Sequence, residues 1–102
     1  MAIVFRDFKF QNLNGIEVTM TLEAPIGSQV VSTTVAANGS YSSNPNLNDV
    51  TTAKITIVAK GHEQYPDVET ITLTGSPYKT CLVTLQARSS IGSIKGDVAV
   101  QF

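Results

Sequence analysis

The chain has 102 residues and a net charge of −1, which suits one domain and leaves no room for a second. Its seven Lys and Arg residues are scattered along the sequence, so we expect no basic patch that would hold nucleic acid. Charged residues make up 15% of the chain, against about 25% in an ordinary soluble domain, and this favours a surface that packs against other proteins.

Alternation of apolar and polar residues predicts strands along the whole chain. In residues 16–23 every even position is apolar and every odd position is polar, and a two-residue period returns in residues 54–60. Turn signals such as Asn14-Gly15 and Asn38-Gly39 separate these runs. The predicted strands are residues 3–10, 15–24, 29–36, 39–43, 54–60, 69–74, 80–88 and 95–102. We therefore predict an all-β fold, a single antiparallel β-sandwich of seven or eight strands.

The first strand carries aromatic residues whose spacing changes parity. Ile3 and Phe5 lie at odd positions, whereas Phe8 and Phe10 lie at even ones. A β-bulge or bend at Arg6-Asp7 would keep all four side chains near the core, whereas a straight strand would expose two of them. Because either arrangement concentrates aromatic surface at the N-terminus, we predict that Phe5, Phe8 and Phe10 are protein-interface residues.

The C-terminal segment is predicted to be an addition to the main domain. Residues 1–88 form the predicted β-sandwich, and residues 89–102 form a flexible link followed by a C-terminal strand or arm. Val98, Val100 and Phe102 alternate in this tail, so it could pair within the domain or with a neighbouring molecule. We predict that these three residues contact a partner. A short helical turn near residues 46–49 is a further expectation.

Residues suited to catalysis or metal binding are few. His62 is the only histidine, and the nearby carboxylates Glu63, Asp67 and Glu69 are more typical of a solvated turn than of a cation site. The serines lie in turn sequences, and none belongs to a Gly-x-Ser-x-Gly motif. We therefore predict that the protein is not an enzyme, with no catalytic residues, no metal and no cofactor. The single Cys81 is expected in the core.

Apolar members of the alternating runs define the expected core, and tyrosines are expected to anchor turns. The predicted core residues are Ile16, Val18, Met20, Leu22, Ile55, Ile57, Ile71, Leu73, Leu82 or Val83, and Leu85. Tyr41, Tyr65 and Tyr78 each lie at or beside a turn, where the ring packs at the core edge and the hydroxyl bonds backbone.

Several segments together resemble a known family. Residues 15–18, the strand 30–35, the turn Asn38-Gly39-Ser40-Tyr41 and the strand 54–60 followed by Gly61-His62 resemble the carboxypeptidase regulatory-like, transthyretin-like (immunoglobulin-like) β-sandwich domains. The resemblance covers roughly residues 4–88, and it implies a stabilising or interaction module. The longer polar loop 42–53 and the extension 89–102 depart from the family pattern. Free-standing domains of this kind look like bacteriophage head decoration or tail proteins.

These observations predict a non-enzymatic structural subunit that docks onto a larger assembly, with a virion as the preferred assembly. The expected partners are other protein subunits, including copies of the chain itself, and not nucleic acid, membrane or a small-molecule substrate. The protein would be made in the host cytoplasm and end in the virion. The alternative is a carbohydrate- or cell-surface-associated accessory module of a secreted, extracellular protein.

Overall fold

The computed structural model describes the backbone of residues 3–72, 80–90 and 93–101, and the side chains of residues 5–47, 50–72 and 95–99. Within these ranges the chain forms nine strands and no helix, which confirms the all-β prediction. The strands are β1 (Ile3–Asn12), β2 (Val18–Glu23), β3 (Gln29–Val35), β4 (Ser40–Ser43), β5 (Leu47–Val50), β6 (Thr52–Ala59), β7 (Asp67–Thr72), β8 (Thr80–Ser90) and β9 (Ser93–Gln101). The described part of the chain therefore has no helix that could cross a membrane.

Two sheets face each other as a sandwich. The five-stranded sheet has the order β4-β1-β8-β9, with β5 also paired to β1, and the four-stranded sheet has the order β3-β2-β6-β7. All described pairs are antiparallel except β1 with β8, which is parallel. Because β8 follows a strand of the other sheet, no tight hairpin fixes its direction relative to β1, and a parallel pairing is open to it.

Two local expectations have different outcomes. The ladder between β1 and β8 shifts register between Phe5 and Asp7, and Phe5, Phe8 and Phe10 are all buried, so of the two arrangements left open the structure has the irregular strand. The helical turn expected near residues 46–49 is wrong, because Leu47–Val50 forms β5. Val50 is buried in the core, so tertiary packing overrides the local turn preference of the asparagines before it.

The core contains most of the predicted residues that the structure describes. Val18, Met20, Leu22, Ile55 and Ile57 are completely buried, and Ile71 packs partly buried against them. Ile16 is 41% exposed, since it lies in the loop before β2, so its assignment to the core is wrong. The side chains of Leu73, Cys81, Leu82, Val83 and Leu85 lie outside the described residues.

A buried asparagine continues the inward face of β1. Asn12 follows Phe8 and Phe10 at the same parity, and its amide Nδ2 donates to the carbonyl oxygens of Ile16 at 2.9 Å and Val35 at 3.2 Å. Its Oδ1 accepts from the backbone N–H of Asn14 at 3.1 Å. A buried amide with these partners ties the β1–β2 loop to the end of β3.

The C-terminal strand belongs to the five-stranded sheet. β9 pairs with β8 from Leu82 opposite Gln101 to Ser90 opposite Ser93. Ser89 and Ser90, expected in a flexible link, are instead the last residues of β8. Of the two arrangements left open for the tail, the structure therefore has the pairing within the chain.

Candidate functional site

One side of the sandwich is closed by charged side chains, which we call the clasp: Asp67 and Glu69 of β7 with Lys95 of β9. Asp67 and Glu69 pair with Ile57 and Ile55, so both carboxylates lie on the inward-facing side of β7. Lys95 Nζ lies 3.1 Å from Glu69 Oε2 and 3.9 Å from Asp67 Oδ1. The backbone N–H of Gly96 donates to Asp67 Oδ2 at 2.9 Å. The clasp therefore joins the edge strands of the two sheets.

The clasp shifts the pKa of two of its groups, Glu69 and Lys95. The hydrogen bond with Asp67, together with burial, raises the pKa of Glu69 although Lys95 acts in the opposite direction. The pKa of Lys95 is also raised, first by its hydrogen bond to Glu69 and then by the charge of Asp67. Asp67 therefore outweighs Lys95 at Glu69, because two close carboxylates resist carrying two negative charges.

The ammonium of Lys95 lies beside the carboxylates of both Asp67 and Glu69, where a metal cation would otherwise bind. In the described ranges no three His, Cys, Asp or Glu side chains are grouped as metal ligands. Glu63 is exposed and turned away, since its Oε1 accepts the N–H of Gly61 at 3.0 Å, and this bond lowers the pKa of Glu63. His62 is exposed in the same turn. The absence of a metal here stays a prediction that titration can test.

The tyrosines fill different roles. Tyr41 is partly buried and packs against the core, which confirms the predicted packing of its ring, whereas the hydrogen bond of its hydroxyl to backbone stays a prediction. Tyr65 is 64% exposed in the β6–β7 turn, where its N–H donates to the carbonyl of His62, so its ring does not anchor that turn in the core. Tyr78 lies outside the described residues.

The opposite side of the sandwich is formed by a run of the sequence without charged residues, and we call it the neutral side: residues 24–48, which include β3 and β4. No Asp, Glu, Lys, Arg or His occurs between Glu23 and Asp49 in the sequence. β3 is the edge of the four-stranded sheet, and β4 lies at an edge of the five-stranded one. Backbone bonds from Asn38 N–H to Asn14 and from Asn12 N–H to Gly39 hold the β3–β4 turn against β1. Asn38 has a φ of 58° there, as expected for an Asn-Gly turn.

The outer face of the four-stranded sheet continues this uncharged surface. Strand register places its side chains in two rows, Thr34, Thr19 and Val58 in one and Ser32, Thr21, Thr56 and Val68 in the next. The Thr19 and Thr34 hydroxyls lie 3.2 Å apart. In the neighbouring row Lys54 lies 3.5 Å from Glu23, so the two charges offset each other. The result is a face of hydroxyl and methyl groups that this ion pair borders.

The interface residues predicted from the sequence lie elsewhere. Phe5, Phe8 and Phe10 are buried between the sheets, so their side chains present no surface to a partner, and this prediction is wrong for the folded chain. The bulge that turns all three inward is the physical reason. Val98 packs partly buried against the core. The side chain of Val100 and the whole of Phe102 lie outside the described residues.

Two features were missed at the sequence level although signals for them exist. The charge-free run from Ala24 to Asn48 is visible in the sequence, but only the fold shows that it forms one side of the sandwich. The clasp was harder to find, because Asp67 and Lys95 are far apart in sequence. Asp67 and Glu69 occupy alternate positions of β7 that face inward. Two carboxylates at inward positions of one strand are the signal that could have indicated the clasp.

Comparison with known proteins informs the fold. No protein family model and no curated protein matches this sequence. An NMR structure of a protein from Eubacterium rectale is similar, with a TM-score of 0.61 and 12% identity over 91% of this chain and 86% of that one. The crystal structure of the T6SS lipoprotein TssJ1 from Pseudomonas aeruginosa has a TM-score of 0.69 and 6% identity, over 97% of this chain and 98% of that one. At such identities the likeness shows the fold alone, and the transthyretin-like assignment stays a prediction.

Proposed function

We propose that this chain is a non-enzymatic structural subunit that docks through its surface onto a larger protein assembly. The observation that supports this most is the outer face of the four-stranded sheet, with its two rows of threonine, serine and valine. A contiguous surface without net charge costs little to remove from water when its hydroxyls find partners. The polar side chains of the clasp, in contrast, already bond one another.

The assembly that we propose first is a virion, in which the chain would be a head decoration or tail protein. Its support is the sequence resemblance of this β-sandwich to such proteins, together with the outer face of hydroxyl and methyl groups. A second candidate is an accessory module at the cell envelope or outside the cell. The fold likeness to TssJ1, which is a T6SS lipoprotein, favours this second location.

Fractionation of producing cells distinguishes the two candidates. Virion particles, envelope and culture supernatant would be separated, and the chain would be quantified in each by mass spectrometry. Stoichiometric recovery with particles supports the virion proposal, and recovery with the envelope or supernatant supports the second candidate. A chain that stays in the soluble cell fraction as a monomer would contradict docking altogether.

A matched pair of variants tests the face itself. Thr19→Arg places a charge in the middle of the outer face, and Thr19 is exposed, so the fold should persist. Ser42→Arg makes the same kind of change at an exposed position of β4, in the other sheet. We expect Thr19→Arg to lose recovery with the assembly and Ser42→Arg to keep it. Equal recovery of both variants would place docking on another surface.

A further inference from the structure

β3 is an open strand edge. Within the described residues it has one strand neighbour, β2, and it ends the order of the four-stranded sheet. Alternate residues of an edge strand direct their N–H and C=O groups away from the sheet, and these groups form a template for another strand. The sequence of β3, Gln-Val-Val-Ser-Thr-Thr-Val, has no charge, no proline and no glycine. It therefore lacks the residues that usually protect an edge.

The other edges of the sandwich differ from β3. β7 has Asp67 and Glu69 at inward positions, and β9 contains Lys95, Gly96 and Asp97. β4 and β5 are four residues long each. The only irregularity in β3 is a register shift at its start, after which Val31–Val35 pairs regularly with β2. β3 thus offers five regular residues as an unprotected edge.

β3 is complementary to its own copy. In an antiparallel pairing of two β3 strands centred on Thr33, Val31 of each copy lies opposite Val35 of the other, and Ser32 lies opposite Thr34. Val31 and Val35 are buried on the inner face, so the pairing would join the two cores at their rims. Ser32 and Thr34 face outward, where the Thr19–Thr34 hydroxyl contact within one chain shows the same kind of pair. Like-with-like pairs of this kind stabilise sheets.

Charge also favours a second copy as the occupant. Residues 24–48 carry no Asp, Glu, Lys, Arg or His, so the β3 strands of two copies meet without like-charge repulsion between them. We propose that the chain forms a twofold dimer in which β3 pairs antiparallel with β3 of the second copy and the two four-stranded sheets become one of eight strands. This goes beyond docking onto an assembly, because it needs only the purified chain.

Sedimentation of the purified full-length chain over a range of concentrations tests the dimer. Ser32→Lys combined with Thr34→Lys sets like charges opposite each other in both symmetric pairs, and we expect dimer affinity to fall about tenfold or more. Ser32→Lys combined with Thr34→Glu sets opposite charges face to face in the same register, and we expect dimerisation to return. Thr70→Lys, at an exposed position on the edge strand β7 of the same sheet, is the matched control and should dimerise like the wild type.

Hydrogen exchange of the wild type gives a readout that needs no variant. The backbone N–H groups of residues 31–35 that point away from β2 should become protected from exchange as the protein concentration rises. The N–H groups of β7 should show no such change. A folded wild type that stays monomeric at every concentration would overturn the proposal, as would a double-lysine variant that dimerises normally. A monomeric result would leave the docking proposal standing, because docking is measured separately by recovery with the assembly.

Discussion

The two sides of this sandwich manage their sheet edges in opposite ways. On one side, β7 and β9 are joined by the clasp, in which Lys95 contacts Glu69 and the amide of Gly96 bonds Asp67. On the other side, β3 and β4 lie within a run of the sequence that has no charged residue. Inward-pointing charges on an edge strand make pairing with a foreign strand unfavourable. The comparison shows that one side protects its edge strands with charged side chains and the other does not.

The charged side also depends on the last strand of the chain. β9 supplies Lys95 and Gly96 to the clasp and pairs with β8 along nearly its whole length. The neutral side is held by backbone bonds and by the buried amide of Asn12. Removing parts of either side should therefore have unequal consequences.

The largest expected effect follows from truncating the chain after Ser90. Truncation removes β9, the clasp cation and every hydrogen bond between β8 and β9, so we expect loss of the folded state. Circular dichroism and the loss of a cooperative thermal transition would show this. Lys95→Ala, which removes the cation and keeps the strand, should remain folded. A truncated chain that folds would show that β9 is a dispensable arm, as the sequence suggested.

The next effect concerns the core residue beside the clasp. Ile57 lies opposite Asp67 in the ladder and is fully buried. Ile57→Ala should lower the free energy of unfolding by about 2–5 kcal/mol, measured by urea denaturation. Ile16→Ala removes the same atoms from a side chain that is 41% exposed, and it should cost less, about 1 kcal/mol or below. Similar losses in the two variants would show that burial does not distinguish these positions.

The sequence predicted the alternating strands well, because a two-residue period over a buried face depends on local pattern alone. Val18, Met20 and Leu22 follow that period without interruption, and all are buried. An irregular β1 that buries its aromatic residues was one of the two arrangements that the sequence left open, and the structure has it. The same aromatic residues were nevertheless predicted at a protein interface. A parity change fixes where a side chain points, and it contains no information about what covers that face.

The clasp and the parallel β1–β8 pair depend on contacts between distant parts of the chain. Asp67 meets Gly96 only because β9 returns beside β7, and no local pattern around either residue reports that return. β8 follows a strand of the other sheet, so no hairpin fixes its direction relative to β1. Strand pairing at this sequence distance is a property of the whole topology, so the residues alone left it open.

A smaller effect is expected from removing the carboxylate that bonds the neighbouring sheet. Asp67 Oδ2 accepts the N–H of Gly96, which is buried, so Asp67→Ala leaves that donor without this partner. We expect a loss of about 1–3 kcal/mol in the free energy of unfolding. Glu17→Ala removes an exposed carboxylate from a loop and should leave stability nearly unchanged. Equal stability of both variants would mean that the clasp does not hold the two sheets together.

The smallest expected effect is a pH dependence that belongs to the charged side only. Because Asp67 and burial raise the pKa of Glu69, the folded chain holds this proton to a higher pH than the unfolded chain does. Stability therefore falls as pH rises through the window just above 4.5, the ordinary value of the glutamate carboxyl. The raised pKa of Lys95 affects stability at a much higher pH. The stability that Lys95 contributes is lost as pH rises through the pKa that Lys95 has in the folded chain.

Glu69→Gln isolates the acidic part of this dependence. The groups that face Glu69 are Asp67 on its own strand and Lys95 on β9, and both remain in the variant. The difference in unfolding free energy between wild type and Glu69→Gln should therefore shift against the wild type as pH rises from 4 to 7, measured by urea denaturation at each pH. Glu17→Gln makes the same change of net charge in an exposed loop and should show no such shift. A difference that is independent of pH for Glu69→Gln would show that Asp67 does not hold the proton there, and the clasp would then act through Lys95 and the Gly96 amide alone.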